Sequence, residues 1–282
     1  MQIKDINEFI KNALKEDLGS GDHTSLASIN KIKESKANLL IKDNGIIAGI
    51  KLAELIFKNF DSKLKISKNL KDGEVVKNGD IAFSLQGKAI SILSCERLAL
   101  NCMQKMSAIA TKTYKLTKLI SHTKCKLLDT RKTAPLNRII EKWAVEIGGG
   151  TNHRFGLYDM IMIKDNHIDY AGGISQAITK TQNYLFKNKL KLDIIVEARN
   201  LSEVEEILSN KGVKRILLDN FNYKMTKLAV DLIGNKCETE SSGGITENTI
   251  TKYAECGVNY ISVGALTNSI NNFDLSLKAI KN

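Results

Sequence analysis

Proline is nearly absent from this 282-residue chain, with Pro135 standing alone. No stretch rich in proline, glycine or serine separates one part from another, which argues against a loose linker and predicts parts that pack tightly. No uninterrupted apolar run approaches the roughly 20 residues that a membrane-spanning helix needs. The first residues, Met1-Gln-Ile-Lys-Asp, show no apolar stretch behind a basic start, so no export signal is expected. Five cysteines (Cys95, Cys102, Cys125, Cys237 and Cys256) are scattered without a C-x-x-C pair, and the expectation is reduced thiols in the cytoplasm. Aromatic residues make up only 6% and are not interleaved with the basic ones, which speaks against nucleic-acid binding. A P-loop, a serine-nucleophile elbow and a reactive-cysteine signature are all missing. His153 and His167 lack metal-ligand spacing to any Cys or His partner.

What is present is ordinary in bulk. Apolar residues are 43% and charged residues 26%, which excludes a disordered chain and leaves room for one large domain or two smaller ones. Lys and Arg total 42 against 31 for Asp and Glu, a net charge of +11. Such a balance suits nucleic acid, an acidic membrane surface or a small polyanion. Much of the excess (Lys115, Lys118, Lys187, Lys189, Lys191) lies in segments that read as helices, and solvated helix faces are the expected account of it.

The first part mixes strands and helices. A helix is expected over 5–17, capped by Asp5, with Ile6, Phe9, Ile10 and Leu14 on one stripe. Short strands are expected at 37–41, 46–48 and 81–85, a helix at 50–60, and a long helical bridge over 90–118. From about residue 126 the pattern becomes α/β. Short strand-like runs, most of them apolar, at 126–128, 160–163, 193–196, 215–218, 238–240 and 260–263 alternate with helical patterns near 137–147, 174–186, 202–209, 223–233 and 246–256. That alternation predicts parallel β/α units.

The strand ends carry the chemistry. They hand over to Asp129, Lys164, Glu197, Asp219, Ser241-Ser242-Gly243-Gly244 and Gly264-Ala265. A β/α barrel gathers such ends at one mouth, whereas a doubly wound sheet spreads them along an edge; the barrel is preferred. Asp129, Thr130, Arg131, Lys132, His153, Arg154, Lys164, Glu197 and Asp219 then form a mostly cationic mouth fit for a small polyanion. Taken singly, each is as readily an ion pair or a helix cap. Glycines at the two late strand ends, Gly243-Gly244 and Gly264, suit a phosphate, and the first pair is expected to open a helix near residue 246. Gly148-Gly149-Gly150 reads as a flexible loop that brings His153 and Arg154 over the mouth. Lys164 at a strand end also leaves open a Schiff-base lysine, against which the surrounding arginines speak.

Asp129-Thr-Arg-Lys-Thr, Gly148-Gly-Gly-Thr-Asn-His-Arg-Phe-Gly-Leu-Tyr-Asp and Ile163-Lys-Asp-Asn-His-Ile together resemble the quinolinate phosphoribosyltransferases. Glu16-Asp-Leu-Gly-Ser-Gly-Asp, Glu96-Arg-Leu-Ala-Leu-Asn, Leu218-Asp-Asn-Phe, Ser242-Gly-Gly-Ile and Ser262-Val-Gly-Ala-Leu-Thr extend the resemblance over nearly the whole chain. The resemblance implies an N-terminal α/β sandwich over 1–110, joined by 270–282, and an incomplete, seven-stranded α/β barrel over 111–269. It implies quinolinate and phosphoribosyl pyrophosphate as substrates and Mg²⁺ as cofactor. It also implies a homodimer, or a higher oligomer of dimers; a cytoplasmic location with no nucleic-acid or membrane partner is the expectation from the composition above.

By motif position the resemblance assigns Arg97, Arg131, His153, Arg154 and Lys164 to the quinolinate carboxylates, with Arg97 donated across the dimer interface. Lys132 and Lys164 also serve the phosphates, Thr130 is counted among the substrate-binding residues, and Glu197 and Asp219 face the ribose and, indirectly, Mg²⁺. Ser242, Gly243, Gly244, Gly264 and Ala265 take the 5-phosphate. Lys132, Lys164, Glu197 and Asp219 are the implied catalytic groups. Three places depart from the family pattern: Ala108 and Leu136 stand where glycine is usual, and Arg199 where an acid or small polar residue is more common. On an extended strand Arg199 would share a side with Glu197 and pair with it or reach a phosphate. Relatives on the same scaffold associated with molybdenum transport are the nearest alternative, and two carboxylate-sized cationic clusters favour quinolinate.

Overall fold

Ile6 and Ile10 lie on one stripe of the first helix, α1 (Ile3–Leu18), and both are buried. The helix begins before Asp5, so Asp5 lies in its first turn and does not cap it; an acid there still opposes the positive end of the peptide dipoles. The structure, a computed structural model, describes residues 3–280. Two units make up the chain: Met1–Tyr114, Thr133–Gly149 and Leu266–Asn282 in the first, Lys115–Lys132 and Gly150–Ala265 in the second.

The first unit continues with α2 (His23–Ser28), β1 (Glu34–Ile41), β2 (Gly45–Ile46), α3 (Ile50–Phe60), β3 (Lys65–Lys68), β4 (Val75–Val76) and β5 (Ile81–Lys88). Asp22 caps α2 by accepting the Ser25 N–H at 3.0 Å. Leu52, Ala53, Ile56 and Phe57 form the buried stripe of α3, and the Phe57 ring meets Phe83 of β5 edge-on at 6.3 Å. The 31-residue α4 (Ala89–Leu119) follows. Its Ser107 hydroxyl accepts the Ala48 N–H at 3.0 Å and donates to the Ala48 carbonyl at 3.1 Å. That exchange satisfies a buried backbone pair between β2 and α3.

Next come β6 (Lys126–Leu128), α5 (Arg138–Ile147), β7 (Ile161–Ile163), α6 (Asp165–Ala171), α7 (Ile174–Lys187), β8 (Ile194–Ala198), α8 (Leu201–Ser209), β9 (Arg215–Asp219), α9 (Tyr223–Ile233), β10 (Glu238–Ser242), α10 (Ile250–Glu255), β11 (Tyr260–Ser262), α11 (Ala265–Asn268) and β12 (Leu275–Ala279). β12 returns to the first unit, whose main sheet has the antiparallel order β12-β1-β5-β3 with Leu39 opposite Leu277.

The second unit carries a parallel sheet of six strands in the order β6-β11-β10-β9-β8-β7. Read from β7, the strands follow chain order to β11 and then meet β6, the first. The winding never reverses, which distinguishes a barrel-type sheet from a doubly wound one. The expected seventh strand is reduced to one residue. Thr151 forms an isolated parallel bridge with Leu128, donating its N–H to the Leu127 carbonyl at 2.8 Å. A strand does not propagate there because the chain turns within two residues, where the His153 N–H binds the Asp129 carboxylate at 2.7 Å.

Two further expectations change. α10 begins at Ile250, four residues later than expected, because a turn precedes it in which the Thr246 N–H donates to the Thr249 hydroxyl at 2.9 Å. Gly148 ends α5 in a packed position, where a Cβ would overlap the Ala110 carbonyl oxygen and Thr113, so this stretch is no loose hinge.

Candidate active site

All six strands of the parallel sheet run the same way, so their C-terminal ends share one edge. β8 is buried along its whole length, and Glu197 is a buried carboxylate one residue from its end. Burying a carboxylate requires a partner. Glu197 Oε2 accepts from Lys164 Nζ at 2.9 Å, the lysine being half exposed and the acid not. Lys164 follows β7 and precedes α6, and its N–H donates to His167 Nδ1 at 3.0 Å, which ties the lysine's backbone to the first turn of the helix.

Asp219 ends β9. The side-chain amide of Asn220 donates to Asp219 Oδ2 at 2.7 Å, and the Asn220 N–H donates to the Ser242 carbonyl at 2.9 Å. Asn220 takes a left-handed φ of 56°, and Gly243 a φ of 96°. A Cβ on Gly243 would overlap both the side chain and the backbone nitrogen of Asn220. Glycine is therefore required where β10 passes the Asp219–Asn220 turn. Gly244 is also left-handed with nothing near its missing Cβ, and α11 starts at Ala265 directly after Gly264.

A third group gathers around the short β6. Asp129 is fully buried and holds the His153 N–H. His153 is buried, and its Nδ1 accepts the Arg154 N–H at 2.7 Å. Its Nε2 stands 3.3 Å from Glu240 Oε2. Arg154 is buried as a residue, and its guanidinium donates to the Met160 carbonyl at 3.0 Å. Burial, and then the charge of Arg131, hold that guanidinium below the ordinary arginine value, while Asp159 works the other way. Thr130 accepts the Lys132 N–H at 3.1 Å, and Arg131 and Lys132 are exposed. A buried arginine in the field of a second arginine is a setting that an anionic ligand relieves.

Arg97 is exposed on α4 in the first unit. Arg199 does not pair with Glu197. β8 ends at Ala198, so strand alternation no longer governs Arg199, which turns to Glu203 of α8 at 2.8 Å and to Asp169 at 3.5 Å. Sequence reasoning missed Glu240 and Arg215. Both are buried in strands of the sheet, with Arg215 Nη1 donating to Glu240 Oε2 at 2.9 Å and its guanidinium stacked 3.7 Å over the Tyr260 ring. The visible signal was Glu238-Thr-Glu240, a strand position with no apolar residue. Among the described residues no group of three His, Cys, Asp or Glu side chains is placed to hold a metal.

Comparison with known proteins decides the family. The model of the quinolinate phosphoribosyl transferase N-terminal domain matches residues 22–107, and that of the C-terminal domain matches residues 109–278. The chain belongs to the quinolinate phosphoribosyltransferase family. Quinolinate phosphoribosyltransferase (decarboxylating) 1 of Nicotiana glauca is 46% identical over 97% of this chain and 82% of its own length. The probable nicotinate-nucleotide pyrophosphorylase (carboxylating) of Bacillus subtilis is 36% identical over 96% of this chain and 92% of its own. NadC from Streptococcus pyogenes superposes with a TM-score of 0.92 at 34% identity, covering 100% of this chain and 99% of that one. As in those quinolinate phosphoribosyltransferases, a small N-terminal sheet domain accompanies a parallel C-terminal sheet. No helix among the described residues is long and apolar enough to cross a membrane. Some plant relatives are named mitochondrial or chloroplastic.

Proposed function

We infer that this chain transfers the phosphoribosyl group of phosphoribosyl pyrophosphate to quinolinate, giving nicotinate mononucleotide, pyrophosphate and CO₂ in NAD biosynthesis. That is the activity of nicotinate-nucleotide diphosphorylase (carboxylating), EC 2.4.2.19. The observation that carries the site reading is buried Arg154, its guanidinium held by the Met160 carbonyl, in the same unit as the Arg131-Lys132 pair that follows β6. Paired cations at a strand end suit the two adjacent carboxylates of quinolinate.

The chemistry needs no protein nucleophile. Breaking the anomeric C–O bond builds positive charge on the ribose, which Glu197 and Asp219 face as carboxylates. Lys132 and Lys164 offset charge on the departing pyrophosphate. The ring nitrogen of quinolinate, held in line by the arginines, forms the new C–N bond as the C–O bond breaks. The nitrogen is then cationic, so the neighbouring C–C bond can break with its electron pair left on the ring carbon. CO₂ departs and that carbon takes up a proton from solvent. The Ser242-Gly243-Gly244 and Gly264-Ala265 turns offer backbone N–H groups to the 5-phosphate, with Thr130 beside the phosphates.

Mg²⁺ fits this donor set only as an ion carried on the substrate's phosphates, with Glu197 and Asp219 reaching it through water. When bound, it supplies charge neutralisation on the pyrophosphate. Arg97 belongs to the same reading as a cation delivered by a second subunit, which makes the working form at least a dimer. A cytoplasmic location accords with five free thiols, of which Cys95, Cys102 and Cys125 are pushed up to about 12 by burial.

The direct test supplies quinolinate, phosphoribosyl pyrophosphate and Mg²⁺ and measures nicotinate mononucleotide and CO₂ together. One CO₂ per nucleotide is expected, with nicotinate a far poorer acceptor because it leaves cations unpaired. Equal turnover of nicotinate would overturn the assignment of the acceptor site.

A further inference from the structure

We propose that the N-terminal edge of the parallel sheet, opposite the edge that carries the site, is a docking surface for an anionic phospholipid membrane. Along this edge the strand starts are tied to one another. The Lys126 N–H donates to the Asn259 carbonyl at 2.9 Å, the Glu238 N–H to the Lys214 carbonyl at 3.0 Å, and the Lys214 N–H to the Ile194 carbonyl at 2.8 Å. The loops entering these strands therefore lie along one edge. They carry Lys189 and Lys191 before β8, Lys211 and Lys214 before β9, and Lys236 before β10, while Lys126 opens β6; all six are exposed. Against them stand exposed Asp193 and, at the end of α10, Glu255, which faces His122 at 3.2 Å. Glu238 is turned to Arg215 at 3.2 Å, with Lys214 at 3.8 Å. The edge is left strongly cationic.

A lysine in the last turn of a helix offsets the peptide dipoles, and Lys187 of α7 does so. Lys189 and Lys191, expected on a helix face, instead follow α7, which ends at Lys187. Lys189 holds a left-handed φ of 53°, at the position where helices most often end on glycine. Its N–H donates to the Phe186 carbonyl at 3.2 Å, and the Leu190 N–H donates to the Leu185 carbonyl at 3.0 Å, which closes the turn. A positive charge is thus kept where the backbone favours glycine. The same turn leaves Phe186 89% exposed, with Tyr184 and Leu190 exposed beside it in sequence. Leu232, next to last in α9, is exposed at the same end of the strands.

Lysines around exposed apolar side chains fit the boundary of an anionic bilayer. The ammonium groups meet lipid phosphates and carboxylates, and Phe186, Leu190 and Leu232 enter the acyl boundary. A nucleic acid is the weaker match, because leucines give bases no stacking platform. A surface contact needs no spanning helix, and none is present among the described residues. This is a membrane partner where the composition led none to be expected, because lysines far apart in the sequence meet only when the strands pair. Docking by this edge leaves Lys164, Glu197 and Asp219, at the opposite strand ends, facing away from the lipid.

The test mixes the full-length chain, without substrates, with vesicles of phosphatidylcholine alone or with phosphatidylserine added. Bound protein is measured by sedimentation over a salt series. Binding to the phosphatidylserine vesicles is expected, falling as salt rises, with little binding to phosphatidylcholine alone. Lys189→Glu with Lys191→Glu should weaken it roughly tenfold or more, and Phe186→Ser by about tenfold. Lys11→Glu with Lys15→Glu, an equal change of charge on exposed residues of α1, should weaken it less than about twofold. Turnover in solution should be unchanged in all three variants, which shows that each is folded. No binding to phosphatidylserine vesicles at low salt overturns the proposal. An equal loss in the α1 variant also overturns it, since net charge alone would then draw the protein to the lipid. A single-stranded RNA that displaces the vesicles and binds through the same lysines would make the edge a nucleic-acid surface, and the proposal would fall.

Discussion

Leu136 is 94% exposed yet holds a φ of 62°, a conformation in which a Cβ crowds the following carbonyl. The resemblance led glycine to be expected there, and the left-handed φ gives leucine a backbone cost that glycine would not have. Leu136→Gly should stabilise the protein by about 1 kcal/mol, read as a higher urea midpoint with an unchanged slope. Gly243→Ala is the opposite case. Strain and overlap with Asn220 fall on the hydrogen bond that orients Asp219, and turnover should drop about tenfold or more while quinolinate binding changes little. Glu197→Gln and Asp219→Asn should each lower kcat by roughly 10²-fold, with a smaller effect on quinolinate affinity. Equal loss of kcat and affinity in both would make these acids binding groups only. Acids and cations at strand ends were legible in the sequence because apolar runs stop at them. Glu240 and Arg215 were not: the sheet's register sets Arg215 opposite Glu238, and only the folded side chains bring it diagonally to Glu240 as well.

At the scale of elements, α8 opens on two side chains. Asn200 accepts the Glu203 N–H at 3.0 Å, and Glu203 in turn holds the Arg199 guanidinium and N–H. Arg199 thus closes the turn from β8 into α8, and Arg199→Ala should leave the requirement for phosphoribosyl pyrophosphate and Mg²⁺ unchanged. Its effect on stability should stay below about 1 kcal/mol, as for exposed ion pairs. The strands of the parallel sheet and the longer helices were readable from period alone. β3, β4 and β12 were not: β3 (Lys-Ile-Ser-Lys) has no fully buried residue, β4 is two residues long, and β12 becomes a strand by pairing with distant β1. α6 was hidden because its seven residues bury only Ile168. The count of seven barrel strands came from resemblance, and at Thr151 the local hydrogen bonds to Asp129 stop a strand from forming.

For the whole molecule the first question is assembly. If Arg97 serves a partner's site, Arg97→Ala and Lys164→Ala should each be nearly inactive alone. Co-folded in equal amounts, about half the dimers are mixed and hold one complete site, so activity should return to roughly a quarter of native. Mixed dimers without recovery would confine Arg97 to its own subunit or to no site. Acid response is a second whole-molecule property. The Glu240 carboxyl sits below its ordinary value, so its contribution is full above the unfolded value and lost as pH falls through the folded one. Glu240→Gln should therefore flatten the acid limb of the stability profile. The bridge at Thr151 has a further consequence. β8, β9 and β10 are five residues long with a strand on either side, whereas β7 is three residues long and ends the ordered row of pairs. Deuterium taken up from heavy water should reach the amides of β7 and the segment leading to it first and those of β9 last, so the sheet melts from one seam inward.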